Sequence, residues 1–238
     1  LNRTQLARRT RKLHKWLGLI VAIQVLLWIS GGLIMASLDL DMVRGSHYAA
    51  EQVDTPVDAA QVLVSPRELA ERIGQPLASA TLKTWQGQPV YQVSAGAASG
   101  LYAASTGVRL SPIDLAAARA VATDDYTGPG ELVEAELLNV VPSEARSREA
   151  PLWRLRFDDA IHTAVYVSAE TGRVVARRND WWRAFDVVWM LHIMDYDTRD
   201  NFNHPLLVIT AGAALLFVFS GIVLLVLSLL PRRRSLAG

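Results

Sequence analysis

The chain has 238 residues, 51% of them hydrophobic, a formal charge of +1 and no cysteine. Disulfides, thiolate metal sites and sulfur redox chemistry are thereby excluded, and no strongly basic domain is available to hold nucleic acid. The charge is nevertheless partitioned: nine of the 24 Lys and Arg residues stand in two acid-free tails, leaving 15 against 23 acidic residues between them.

Residues 1–16 form the first tail, with Arg3, Arg8, Arg9, Arg11, Lys12 and Lys15. An apolar run over 17–38 follows, and a second occupies 204–230, of which Pro205 to Leu230 is uninterrupted. At roughly 1.5 Å per residue they reach about 33 and 39 Å, enough to cross a hydrocarbon core of about 30 Å. The first is too long for the apolar part of a cleavable signal. Basic tails stay cytoplasmic, so both ends are expected there, with the segment between them translocated. Neither run contains Asp, Glu, Lys or Arg, and Gln24 is the only amide, which argues against an ion or proton pathway. His14, Gly18, Ala22, Val25, Ile29, Gly32 and Ala36 share one helical stripe, mostly small, expected to pack against Thr210, Ala213, Phe217, Ser220 and Leu224 or against a second copy.

A linker over 39–57 carries Asp39, Asp41 and a loop histidine, His47. Two similar units then follow, 58–110 and 111–179. Ser65-Pro66-Arg67-Glu68 and Ser111-Pro112-Ile113-Asp114 each read as a Ser N-cap, a Pro in the first turn and an acid closing a capping box. They predict helices over 66–73 and 112–123. Strands are expected at 77–85, 89–95, 101–105 and 108–110 in the first unit, and at 132–141, 152–157, 161–168 and 173–176 in the second. The closing hairpins match best, Leu101-Tyr102-Ala103 before Thr106-Gly107 beside Val165-Tyr166-Val167 before Thr171-Gly172.

Residues 180–203 read as an amphipathic helix and loop at the outer boundary of the bilayer, with Trp181, Trp182, Phe185, Val188, Trp189, His192 and Tyr196 on the apolar side and Asp180, Arg183 and Asp186 off it. His192 is either a satisfied interfacial side chain or a ligand, and His204 either caps the second span or ligates. His14, one turn before Gly18, is an interfacial anchor or a ligand. Asp39, Asp41, Asp195, Asp197 and Asp200 gather at one level, either as an acidic translocated edge or as oxygen ligands for a hard cation such as Fe³⁺. A short tail over 231–238 ends the chain.

A helix followed by an antiparallel sheet, with a Tyr-bearing strand and a Thr-Gly turn, resembles the PepSY domain. Leu13-His14-Lys15-Trp16-Leu17-Gly18 at the start of the first span, and the Ser-Gly steps Ser30-Gly31 and Ser220-Gly221, are similar to motifs of PepSY-associated transmembrane proteins. The resemblance implies an α+β membrane protein: two transmembrane helices flanking a periplasmic tandem PepSY-like domain in the bacterial inner membrane. It implies transmembrane electron transfer or periplasmic iron and siderophore reduction, as a homodimer or with a membrane redox partner. Haem b would be held by His192 and His204, with His14 as a cytoplasmic-side ligand shared across subunits. The alternative is a non-enzymatic PepSY binding module that regulates a periplasmic peptidase. No hydrolase motif or dinucleotide fingerprint accompanies these features.

Overall fold

The structure, a computed structural model, describes residues 3–51 and 55–230; the expected C-terminal tail and part of the linker lie outside the described residues. Two compact units emerge: a helical one built from the ends of the chain, and an α+β one over Asp39–Arg183.

In the helical unit, α1 (Arg3–Ser37) and α6 (Pro205–Leu229) are long and apolar enough to cross a bilayer. Only 11% and 6% of their most apolar stretches are buried, unlike helices inside a soluble core. The end of α6 falls within a residue of expectation, whereas α1 continues without a break through the basic tail. Residues 3–17 contain neither Gly nor Pro and are rich in Arg, Leu and Lys, which favour helix.

The face that α1 turns to its partners differs in phase from the expected one. Buried or half-buried positions include His14, Val21, Trp28 and Met35, Leu17, Gln24 and Gly31, and Gly18, Val25 and Gly32, while Ala22, Ile29 and Ala36 are exposed. The observed spacing repeats every seven residues, the period at which one helix stays in register along another. On α6, Thr210, Ala213, Phe217, Ser220 and Leu224 are all withdrawn from the surface as expected.

The α+β unit starts with α2 (Leu40–Arg44), N-capped by Asp39, whose carboxylate accepts from Asp41 N at 2.8 Å. Helix α3 (Pro66–Ile73) has the full expected capping box: Glu68 N donates to Ser65 Oγ, and Ser65 N donates to the Glu68 carboxylate at 2.8 Å. A three-stranded antiparallel sheet follows, β1 (Ser79–Trp85), β2 (Gln88–Ser94) and β3 (Gly100–Ala103), in sequential order. Gln86 and Gly87, both with positive φ, form the first hairpin's two-residue turn, a residue earlier than the sequence indicates.

Helix α4 (Leu115–Asp125) begins three residues later than expected. Asp114 is its N-cap, accepting from Ala117 N at 2.8 Å, because Ser111 and Ile113 are engaged elsewhere. Ser111 Oγ accepts from Leu101 N, and Ile113 N donates to Ala169 O. A four-stranded sheet completes the unit, again in sequential order: β4 (Leu132–Leu138), β5 (Leu152–Phe157), β6 (Ala164–Ser168) and β7 (Val174–Arg178). The short strand expected at 108–110 is reduced to one bridge between Tyr102 and Arg109.

Both halves are thus a helix followed by an antiparallel meander, but they share one core. Val90 and Leu101 of the first sheet join Ala118, Val121 and Ala122 of α4 and Leu155, Phe157, Val165 and Val167 of the second. Leu69 of α3 covers the opposite face of the first sheet with Tyr91, Val93 and Tyr102. The matched tyrosines therefore face differently. Tyr102 lies on the α3 side of its sheet, whereas Tyr166 points away from α4 into a cluster with Ala145, Leu152, Ala164 and Ala176. The likeness is one of order and connectivity, not of side-chain direction.

From Arg178 the chain passes into α5 (Asp180–Ile193), close to its expected extent.

Candidate functional site

The histidines of the helical unit occupy separate places. His14 packs against α6: its Nδ1 lies 2.7 Å from Ser220 Oγ and 3.2 Å from Phe217 O, and its ring stacks on Phe217 at 4.3 Å. Gly221 makes room for that ring, since a Cβ there would come within 3.2 Å of it, and Gly18 lies against Phe217 in the same way. The imidazole fastens two helices together, with one nitrogen already engaged.

His192 sits at the other end of α1. A Cβ at Gly31 would approach its Nδ1 to 3.8 Å, and one at Gly32 its ring to 4.0 Å. Seventeen residues of helix separate His14 from Gly31, about 25 Å at 1.5 Å per residue, so His14 and His192 of one chain cannot ligate the same iron. The final turn of α5 is held by the single amide of the first span and by a tryptophan. Gln24 Nε2 donates to Leu191 O at 3.2 Å, and Trp28 Nε1 donates to His192 O at 2.7 Å. These carbonyls have no partner within their own helix, and α1 supplies one. The end of α5 accordingly runs beside the second half of α1.

His204 is the N-cap residue of α6 but makes no capping bond through its side chain. Its Nδ1 and the Nδ1 of His192 are both buried with no partner. Buried polar atoms are normally satisfied, so two orphaned ring nitrogens in one unit require an explanation. A group outside the chain, a bound water or a ligand, is left to satisfy them.

The segment joining these histidines is braced by charges. Asp186, read from the sequence as a surface residue of α5, is buried and forms an ion pair with Arg199. Trp189 Nε1 donates to Arg199 O at 3.1 Å. Asp195 is also buried: its carboxylate accepts from the backbone of Asp197, Thr198, Asp200 and Asn201 and from Thr198 Oγ1. The Thr198 hydroxyl and these backbone donors hold its carboxyl far below the usual range. Asp195 is committed to the loop, Asp197 and Asp200 are exposed, and Asp39 and Asp41 belong to the α+β unit. Among the described residues, no group of three or more His, Asp or Glu side chains is placed to hold a metal ion.

In the α+β unit, a surface cavity of about 270 Å³ is lined by Glu144, Arg154, Arg156, His162, Asp180 and Arg183. Its charges are matched: Arg154 with Glu136, Arg156 with Glu134, Arg183 with Glu144 and His162 with Asp180, at 2.5 to 2.8 Å. Burial opposes the charge on Glu144, but hydrogen bonds from Arg183 and Tyr166 outweigh it and hold its carboxyl below the usual range. His162 Nδ1 lies 2.7 Å from the Asp180 carboxylate. The cleft offers a ligand little net charge.

Comparison of the chain with protein-family models, with curated proteins and with solved structures gives no match.

Proposed function

We propose that this is a bacterial inner-membrane protein of PepSY-like organisation, in which α1 and α6 cross the bilayer, both ends are cytoplasmic and the α+β unit is periplasmic. It acts in electron transfer, as a subunit or dimer that passes electrons toward periplasmic iron or siderophores, with haem b held by His192 and His204. The observation that carries this reading is the pair of buried, unbonded Nδ1 atoms on these two histidines. Bound there, haem would supply a reversible one-electron change. The chain's own part is to position the ligands: Gln24 and Trp28 fix the turn that bears His192, while Asp195 and the Asp186–Arg199 pair fix the loop that leads to His204. His14, bonded to α6, joins the spans.

Membranes containing the overproduced protein should show a reducible Soret band that is lost in His192→Ala and in His204→Ala and kept in His14→Ala. A colourless protein that slows a co-produced periplasmic peptidase would favour the second reading, a binding module. That reading draws on β1 and β4, which stand at the ends of their sheets and could each accept an added strand.

A further inference from the structure

The two long helices are pinned at two heights along the C-terminal half of α6. At one, Arg3 Nη2 donates to Leu227 O at 2.5 Å and to Leu230 O at 2.7 Å, satisfying carbonyls that the helix end leaves open. At the other, His14 rests on Phe217, Ser220 and Gly221. Between these pins α1 carries Arg8, Arg9, Arg11 and Lys12, and Lys15 follows directly. All five are exposed, and among the described residues none has a carboxylate partner. The stretch of α6 at the same height is apolar and equally bare on the side turned away from α1: Phe219, Ile222, Leu225 and Leu229 are 55%, 49%, 57% and 74% exposed.

The same height of the molecule therefore makes opposite demands. The α6 side chains call for acyl chains, and the α1 cations call for anions. Water satisfies only the second, and a zwitterionic lipid satisfies the first but brings a cation beside its phosphate. We propose that this end of the helix pair gathers anionic phospholipid, whose phosphate-bearing headgroups lie among Arg8, Arg9, Arg11, Lys12 and Lys15 while acyl chains cover the end of α6. The site rests on the membrane-crossing reading above. Long Arg and Lys side chains reach toward the headgroup layer while their stems remain against lipid, so the helix need not unwind to bring them together. Each cation at such a surface contributes on the order of 1 kcal/mol toward an anionic lipid.

Trp16, 53% exposed and next to Lys15, is a built-in reporter. The full chain is reconstituted into phosphatidylcholine vesicles doped with an equal fraction of brominated phosphatidylglycerol or brominated phosphatidylcholine. The Trp16 signal is taken as the difference between the unaltered chain and Trp16→Phe. Brominated phosphatidylglycerol should quench it at bromolipid fractions at least about tenfold lower. Inorganic phosphate should not relieve the quenching, and replacing the five cations with Gln should abolish the preference. Equal quenching by the two lipids in the reconstituted, unaltered chain overturns the site and leaves the membrane reading standing. Relief by inorganic phosphate also overturns it, in favour of a free-phosphate site. A chain that alkaline carbonate strips from the vesicles defeats the membrane reading itself.

Discussion

Lys83 shows how a single side chain acquires properties that its position in the sequence does not announce. It is one of three lysines, with Lys12 and Lys15, and the only one in the α+β unit. On β1 its Nζ donates to Gln92 Oε1 at 2.9 Å, and burial, aided by the charge of Arg173, pushes its pKa down to about 8 from 10.5. A lysine that sheds its proton more readily when folded makes the native state hold fewer protons than the unfolded chain between about pH 8 and 10.5. Stability should therefore rise with pH across that window, and Lys83→Met should flatten the rise. Amine acylation followed by peptide mapping gives a direct check: half-maximal reactivity at Lys83 is expected near pH 8, and a midpoint near 10.5 would refute the assignment. Nothing in the local sequence foretells this, because Arg173 is 90 residues away and reaches β1 only through the fold. Asp186 was hidden for a similar reason. Helical spacing puts it on the polar side of α5, and only the folded loop brings Arg199 over it.

At the scale of elements, the Thr171-Gly172 turn joins the two halves of the α+β unit. Trp85 Nε1 of β1 donates to Gly172 O at 2.9 Å, and a Cβ on Gly172, at φ +60°, would meet the indole at 2.7 Å and Leu101 at 2.9 Å. Gly74 has a similar φ, +76°, but nothing within 4 Å of its would-be Cβ. Gly74→Ala should thus cost only the backbone penalty, about 1 kcal/mol, whereas Gly172→Val adds overpacking and should cost about 2–4 kcal/mol. Denaturant unfolding followed by tryptophan fluorescence separates the two; equal losses would mean that the halves do not lean on each other there. Much at this scale was legible. The capping box at Ser65 and Glu68, the β5 strand and the α6 limits emerge as expected, since each follows from local chemistry or an uninterrupted apolar run. Two expectations missed because they depend on partners. The second Ser-Pro step does not start its helix, for Ser111 is drawn to Leu101 N. The stripe on α1 drifts because a helix packed along others follows a seven-residue repeat rather than its own 3.6. The candidate site was legible in part: His14, His192 and His204 stand out as residue types, but their bonding distinguishes a fastener from two unbonded imidazoles.

For the whole molecule, charge and packing make independent statements about topology. The tails hold nine cations and no acid, which under the proposed membrane crossing favours the cytoplasmic side for both. Packing requires only that they share a side: with Arg3 bonded to the carbonyls of Leu227 and Leu230, the first turn of α1 lies at the last turn of α6. A fluorescent protein fused after Gly238 should accordingly be bright and alkaline phosphatase at the same point inactive, with the reverse for insertions after Ser147 in the α+β unit. Replacing Arg8, Arg9, Arg11, Lys12, Lys15 and Arg232 to Arg234 by Gln then tests how the two statements are related. The charge bias falls while the Arg3 pin remains, so the hairpin should insert in both orientations, each molecule keeping its ends together. Molecules with one end on each side would show instead that the charges set each span separately and that the antiparallel pairing of α1 with α6 follows insertion without directing it.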